Sequence, residues 1–211
     1  MNYSAIVLCA GKGSRSGLSY NKMLYRFKDK TVYEMTMKIF LNDDRCKQIV
    51  VVTKEDEISD LKKLISSSKI DYTFGGKERQ DSVYNGLQIV NQDYVLIHDG
   101  ARPYLKNKNV DDLLLCLNNN DACLLMVPVK DTIKMCKGEN VIETLPRETL
   151  MQAQTPQAFK TSLIKDCYKL GKINNFAATD DASLVEHFKM APVKVVMGSY
   201  ENIKITTPDD L

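Results

Sequence analysis

The chain has 211 residues, 44% of them hydrophobic and 27% charged, with a formal net charge of +2 at pH 7. That length can bury one substantial core but is cramped for two full domains. The near-balanced charge excludes a broad nucleic-acid-binding surface, and no apolar run is long enough to span a bilayer.

The N-terminus MNYSAIVLCAG lacks the basic start and small-residue cleavage site of a secretory signal, so the expected location is the cytoplasm. Cys9, Cys46, Cys116, Cys123, Cys136 and Cys167 are scattered, with no Cys-x-x-Cys pair and no histidine at ligand spacing. Most of them read as reduced apolar fillers, not as a disulfide or metal framework.

In chain order, AIVLCA is a short buried-type strand that runs into GKGSRSG. Gly11 and Gly13 can bring main-chain N–H groups together on an anion, and Arg15 and Lys22 add positive charge beside them. A phosphate site is the first reading. The loop is not a Walker A sequence, nor a full G-x-G-x-x-G, because Ser16 stands where the third glycine would be.

The segments VYEMTMKIFLN, QIVVVT, EDEISDLKKLISS, IDYTF, RQDSVYNGLQIV and YVLIHD then alternate helical and strand-like patterns. Runs such as QIVVVT and YVLIHD are apolar without strict alternation, as expected when both faces are covered. The fold class is therefore α/β, a doubly wound, mostly parallel, Rossmann-like sheet. Ligands of such sheets lie beyond the carboxyl ends of the strands, where this chain places GKGSR, GGKERQDS and DGARP.

From Val127 to Thr155 the patches VPVKDTIKM and NVIETL flank the turn signal Cys136–Asn140, which predicts a β-hairpin arm. An isolated hairpin is marginal in water, so the arm is expected to lean on a second subunit. Helices are expected from about Lys160 to Leu170 and from near Thr179–Asp181, then a strand VKVVMG and, in NIKIT, a late strand carrying Lys204. The organisation is one domain over residues 1–211, with 127–155 as an arm subdomain.

Two motifs admit two readings each. Asp99 in HDGARP can ligate Mg²⁺ alongside substrate phosphates, or can simply end its strand in an Asx-type turn with Arg102 as its partner. GGKERQDS can approach a nucleotide base through Gly75 and Gly76 with Ser82 on the base edge, or can be an ordinary helix start capped by Asp81 or Ser82. His98 reads as a packed strand residue.

Taken together, AGKGSR…NK, GGKERQDSVYNGL, HDGARP, VPVKDTIK, QTPQAF, TDDASLVE and NIKITTPDDL resemble, in this order, the 2-C-methyl-D-erythritol 4-phosphate cytidylyltransferase family of the non-mevalonate isoprenoid route. The resemblance runs from about Ala5 to Leu211. It implies transfer of the cytidylyl group from CTP to a sugar-alcohol phosphate with release of pyrophosphate, a requirement for Mg²⁺ or another divalent cation, and a homodimer joined by the arm.

It also implies roles. Arg15, Lys22 and Lys204 are catalytic; Ala10, Gly11, Gly13, Gly76, Arg79, Ser82, Asp99 and Ala101 bind the nucleotide, Asp99 also holding the metal; Arg102, Thr132 and Gln152 bind the acceptor. The chain departs from the family pattern in having Asn21-Lys22 for the commoner Pro-Lys, and Gln152 where many members carry arginine. Glutamine lacks the bidentate cation.

The sister family of ribitol-5-phosphate cytidylyltransferases is the nearest alternative. A nicotinamide-dependent dehydrogenase is disfavoured by the missing third glycine, and by Thr53 and Lys54 after the second strand where an acidic residue would bind ribose.

Overall fold

The computed structural model describes residues 1–11, 17–18 and 20–210. In chain order it contains β1 (Tyr3–Leu8), a small pair β2 (Arg26–Phe27) and β3 (Lys30–Thr31), α1 (Val32–Leu41), β4 (Cys46–Thr53), α2 (Ile58–Leu64), β5 (Ile70–Phe74), α3 (Arg79–Ile89) and β6 (Tyr94–Asp99). There follow α4 (Asn107–Leu117), β7 (Ala122–Pro128), β8 (Lys134–Lys137), β9 (Asn140–Thr144), β10 (Met151–Lys160), α5 (Thr161–Ile173), α6 (Asp181–His187) and β11 (Lys194–Met197).

The main sheet has the order β11-β7-β10-β6-β1-β4-β5. Its neighbours are parallel except β10, which runs antiparallel to both β6 and β7. Strand period separates the two faces. Ala5 and Val7 of β1 join Tyr33, Met37 and Phe40 of α1 and Leu113 of α4 in one core layer. Ile6 joins Val83 and Leu87 of α3, Tyr168 of α5 and Leu184 of α6 in the other.

Local capping agrees with the helix starts. At α1 the Glu34 N–H donates to Thr31 Oγ1 at 3.1 Å and the Thr31 N–H donates back to Glu34 Oε2 at 2.8 Å, a reciprocal capping box. At α6 the cap is Asp180, whose Oδ1 accepts from the Ser183 N–H at 2.9 Å and whose Oδ2 accepts from Gln157 Nε2 at 2.7 Å.

The chain winds from β1 outward through β4 to β5, then returns to place β6 on the other side of β1. Ligand crevices form where the winding reverses. Leu8 and Asp99 are register partners, so the segments after β1 and β6 leave the sheet side by side.

Three features differ from the expectation. The ends of the 127–155 segment belong to the main sheet, where Val127 pairs with Gln152 and Pro128 with Met151. The free hairpin is β8 and β9 alone, turning at Gly138 with φ 58°. Strand pairing between distant segments leaves no trace in local periodicity, so the antiparallel course of β10 is not legible in the sequence, while α4 and β7 fall in a stretch to which the sequence reading assigns no element. Lastly, the segment carrying Lys204 is extended but forms no strand; the Ile205 N–H donates to the Ala101 carbonyl at 2.9 Å.

Asp180 both caps α6 and accepts from Gln157 of β10. Asp180→Ala should lower unfolding free energy by about 1–2 kcal/mol, seen as a lower urea midpoint with an unchanged slope.

Candidate active site

A cleft of about 910 Å³ opens at the carboxyl ends of β1, β4, β5 and β6. Ala10, Gly11, Lys22, Gly76, Arg79, Ser82, Asp99, Ala101 and Lys204 all line it. Arg102 stands behind Asp99. Thr132 and Gln152 do not line this cleft; both are exposed near the root of the hairpin. The expectations for Gly13 and Arg15 lie outside the described residues.

Asp99 is the electrostatic centre. Its side chain is 10% exposed, with Lys204 Nζ 2.7 Å from Oδ2, Arg79 Nε 3.3 Å from Oδ1 and Arg102 Nε 4.0 Å from Oδ2. Burial by itself would raise the carboxyl, but Arg79 and Lys204 hold it well below the usual carboxylate range. Both readings of HDGARP meet here, since the Arg102 N–H also donates to the Asp99 carbonyl at 3.0 Å in a turn.

Arg79 spans two carboxylates. Besides Asp99 it makes a two-pronged contact with Asp181, Nη1 to Oδ1 at 2.9 Å and Nη2 to Oδ2 at 2.8 Å. Asp181 is fully buried and also accepts from the Tyr168 hydroxyl at 2.5 Å. Burial would lower the guanidinium, yet Asp181 and Asp99 outweigh it and raise it. The sequence reading takes Thr179–Asp181 only as the start of a helix, so it misses Asp181 as a partner of the cleft.

The loop before α3 packs too closely for side chains. A Cβ on Gly76 would fall 2.1 Å from Asp81 Cβ, and one on Gly75 would fall 2.6 Å from Ala10 Cβ. Ser82 Oγ accepts from the Gly76 N–H at 3.0 Å and donates to the Glu78 carbonyl at 3.1 Å, while Asp81 accepts from the Glu78 N–H at 3.1 Å. The hydroxyl therefore shapes the loop as well as facing the cleft. Gly11 is different, because a Cβ there would meet nothing within 4 Å and its φ is not in the left-handed region.

Lys22 enters from a single 3-10 turn, Lys22–Leu24, and its Nζ donates to the Ile205 carbonyl at 2.8 Å. The same extended segment supplies Lys204 and is fastened by Arg102 Nη1 to the Asn202 carbonyl at 2.7 Å. Residues 202–205 thus bring the two lysines to one wall.

His98 is packed, as expected, and holds the end of β6. Its Nε2 lies 3.1 Å from the Arg102 carbonyl and its Nδ1 lies 3.1 Å from Thr155 Oγ1. A carbonyl can only accept, so Nε2 carries the proton and Nδ1 accepts from the Thr155 hydroxyl. Thr155 in turn accepts from the Asp99 N–H at 3.0 Å. Thr155 is a second residue that sequence reasoning passed over.

The family model described as 2-C-methyl-D-erythritol 4-phosphate cytidylyltransferase matches residues 3–211. A protein of that name from Halalkalibacterium halodurans is 43% identical, the match covering 100% of this chain and 94% of that protein. One from Clostridioides difficile is 42% identical over 99% of this chain and 90% of its own length. The crystal structure of the 4-diphosphocytidyl-2C-methyl-D-erythritol synthase from Anaerococcus prevotii superposes with a TM-score of 0.87 at 31% identity, covering 99% of this chain and 94% of that one. The cytidylyltransferase structure from Thermus thermophilus gives 0.83 at 27% identity, covering 100% and 95%.

Burial pushes His98 down to about 4, so it stays neutral in the fold while an unfolded chain would take up a proton below about pH 6.5. Stability contributed by the neutral ring is complete above that pH and is lost as pH falls from 6.5 towards 4, by about 3 kcal/mol in all. Urea midpoints measured between pH 7 and pH 4 should fall accordingly, and His98→Gln should flatten the slope in that window.

Proposed function

The chain belongs to the 2-C-methyl-D-erythritol 4-phosphate cytidylyltransferase family, and we propose that its reaction is carried by Lys22 and Lys204, which share a cleft with Asp99, and by Arg15, whose role rests on the sequence motif alone. The enzyme transfers the cytidylyl group of CTP to 2-C-methyl-D-erythritol 4-phosphate, giving 4-diphosphocytidyl-2-C-methyl-D-erythritol and pyrophosphate. The observation that carries the assignment of roles is the convergence of Lys22, Arg79, Asp99 and Lys204 in one cleft at the reversal of the sheet. The relatives named above all carry methylerythritol in their names, three of them as methylerythritol 4-phosphate, which favours that acceptor over ribitol 5-phosphate. The dehydrogenase reading has no support.

In the reaction a phosphate oxygen of the acceptor attacks the α-phosphorus of CTP in line. The new P–O bond forms as the bond from the α-phosphorus to the oxygen bridging the β-phosphate breaks, and pyrophosphate leaves with that electron pair. A phosphate monoester is already ionised near neutral pH, so no general base is required. The protein must instead hold two anions together and stabilise charge at a five-coordinate phosphorus. Lys22 and Lys204 bring cations to that position, and the family motif gives Arg15 the same task. Gly75 and Gly76 let the main chain approach the cytosine ring, with Ser82 holding the loop and Arg79 tying the start of α3 to Asp99 and Asp181.

Among the described residues no group of three or more His, Cys, Asp or Glu could hold a metal by itself. The donor set fits a Mg²⁺ ion carried on nucleotide phosphates: Asp99 Oδ2 is taken by Lys204 at 2.7 Å, while among the described residues Oδ1 has the longer 3.3 Å contact with Arg79. Asp99 would hold such an ion through that oxygen, and when bound it neutralises charge on the triphosphate.

The arm is read as a dimer contact. Every residue of β8 and β9 is exposed, including Met135, Val141 and Ile142 at 44%, 60% and 57%. A lone two-stranded hairpin with such a surface is stable when covered. Thr132 and Gln152, at its root, would then serve the cleft of a second copy. Cytoplasmic residence belongs to the same reading; among the described residues no helix is long and apolar enough to cross a membrane.

Pyrophosphate release with CTP and each alditol phosphate in turn tests donor, acceptor and catalysis; turnover confined to ribitol 5-phosphate would overturn the acceptor. Lys22→Ala should lower kcat by about 100-fold or more, as loss of one preorganised charge-stabilising donor does; near wild-type turnover removes Lys22 from the chemistry. Replacing Lys134–Thr144 with a short glycine turn should convert a dimer to a monomer in sedimentation velocity, and an unchanged sedimentation coefficient would refute the arm contact.

A further inference from the structure

The turn that presents Lys22 is fastened on both sides. Met23 is 2% exposed and is anchored in the core beside Gly100, where a Cβ on that glycine would sit 2.9 Å from its sulfur. On the other side stands Asn21, a polar residue only 6% exposed. Its Oδ1 accepts from the Met23 N–H at 3.0 Å. Its Nδ2 donates to the Cys9 carbonyl at 2.8 Å and to Glu57 Oε2 at 2.7 Å. Both of the latter partners are acceptors, so the amide has one workable orientation and each of its hydrogens is used.

Glu57 is itself held from β4. Its Oε2 also accepts from the Thr53 hydroxyl at 3.0 Å, and its Oε1 accepts from Lys54 Nζ at 2.9 Å. One carboxamide therefore ties the Lys22 turn to the end of β1 and, through Glu57, to the end of β4. The opposite contact is Lys22 Nζ to the Ile205 carbonyl. The lysine is suspended between two walls whose separation Asn21 helps to set.

We propose that Asn21 and Glu57 are a positioning pair for Lys22, holding the cation where charge develops in the reaction. The inference rests on the role proposed for Lys22 and concerns residues to which that role assigns nothing. A positioning error of about 1 Å can reduce turnover on the order of 100-fold while substrate affinity is little altered. The pair is ordered by donor and acceptor chemistry. Asn21→Asp is nearly isosteric, yet it removes both donors and sets a carboxylate against Glu57. Glu57→Gln in the same chain returns a donor to that contact.

The test is steady-state kinetics of the full-length enzyme, with CTP and the acceptor, on Asn21→Asp, Glu57→Gln, Lys22→Ala and their combinations. Asn21→Asp should lower kcat by about 10-fold or more with KM for CTP changed less than about 3-fold. Adding Glu57→Gln should recover most of that loss. In the Lys22→Ala background Asn21→Asp should lower kcat by less than about 2-fold, because residues acting through one group are not additive.

A kcat within about 2-fold of wild type for Asn21→Asp, an equal loss with and without Lys22, or no recovery on adding Glu57→Gln would each overturn the pair. Asn21→Ala, with the same Lys22 cycle, replaces Asn21→Asp if the latter does not fold. Wild-type turnover by Lys22→Ala alone would instead refute the role of Lys22, and is read independently of Asn21.

Discussion

Asp99 must remain ionised while nine-tenths buried, and the layout of the cleft answers that requirement. A desolvated carboxylate is tolerable only when opposite charge and hydrogen-bond donors surround it. Arg79, Lys204 and Arg102 are those charges, and they come from the start of α3, the extended C-terminal segment and the turn after β6. Each cation brings a further constraint with it. Arg79 is aligned by Asp181 and Tyr168, which joins α5 and α6 to the site. Lys204 depends on the pinning of residues 202–205 to Ala101 and Arg102. One buried negative charge thus connects segments about a hundred residues apart.

The same arrangement, rich in cations, suits the proposed transfer, which asks for no histidine base. The transferred group arrives between two anions, so the useful work is to bring positive charge without reorganisation. His98 is kept neutral by burial and is committed on both nitrogens, which makes it a brace for the β6 end. Thr155 relays that brace to the Asp99 main chain. The charged layer faces the cleft, and the neutral hydrogen-bonded layer lies behind it.

Much of this was legible in the chain. AIVLCA, QIVVVT and YVLIHD appear as parallel strands, because residues covered on both faces are apolar throughout and β-branching suits the pleat, while IDYTF appears as the half-exposed strand at the sheet edge. The residues after those strands met at one edge, as the geometry of a doubly wound sheet demands. The segment from Tyr104 to Met126 was not read, and the 127–155 segment was assigned too much arm. Val127 and Gln152 are partners only because two distant stretches meet in the sheet, and neither stretch announces the other.

Sequence alone determined nine of the residues that line the cleft, the strand–helix alternation and the family to which the motifs belong, since each of these is written in local residue type and spacing. Tertiary structure decided which charges meet. That Asp181 rather than solvent aligns Arg79, that Asn21 is tied to Glu57 across the ends of β1 and β4, and that Lys22 shares a wall with Lys204 depend on contacts between segments separated by tens to hundreds of residues. Electrostatic partnership is a matter of distance and burial. Neither quantity exists until the chain has folded.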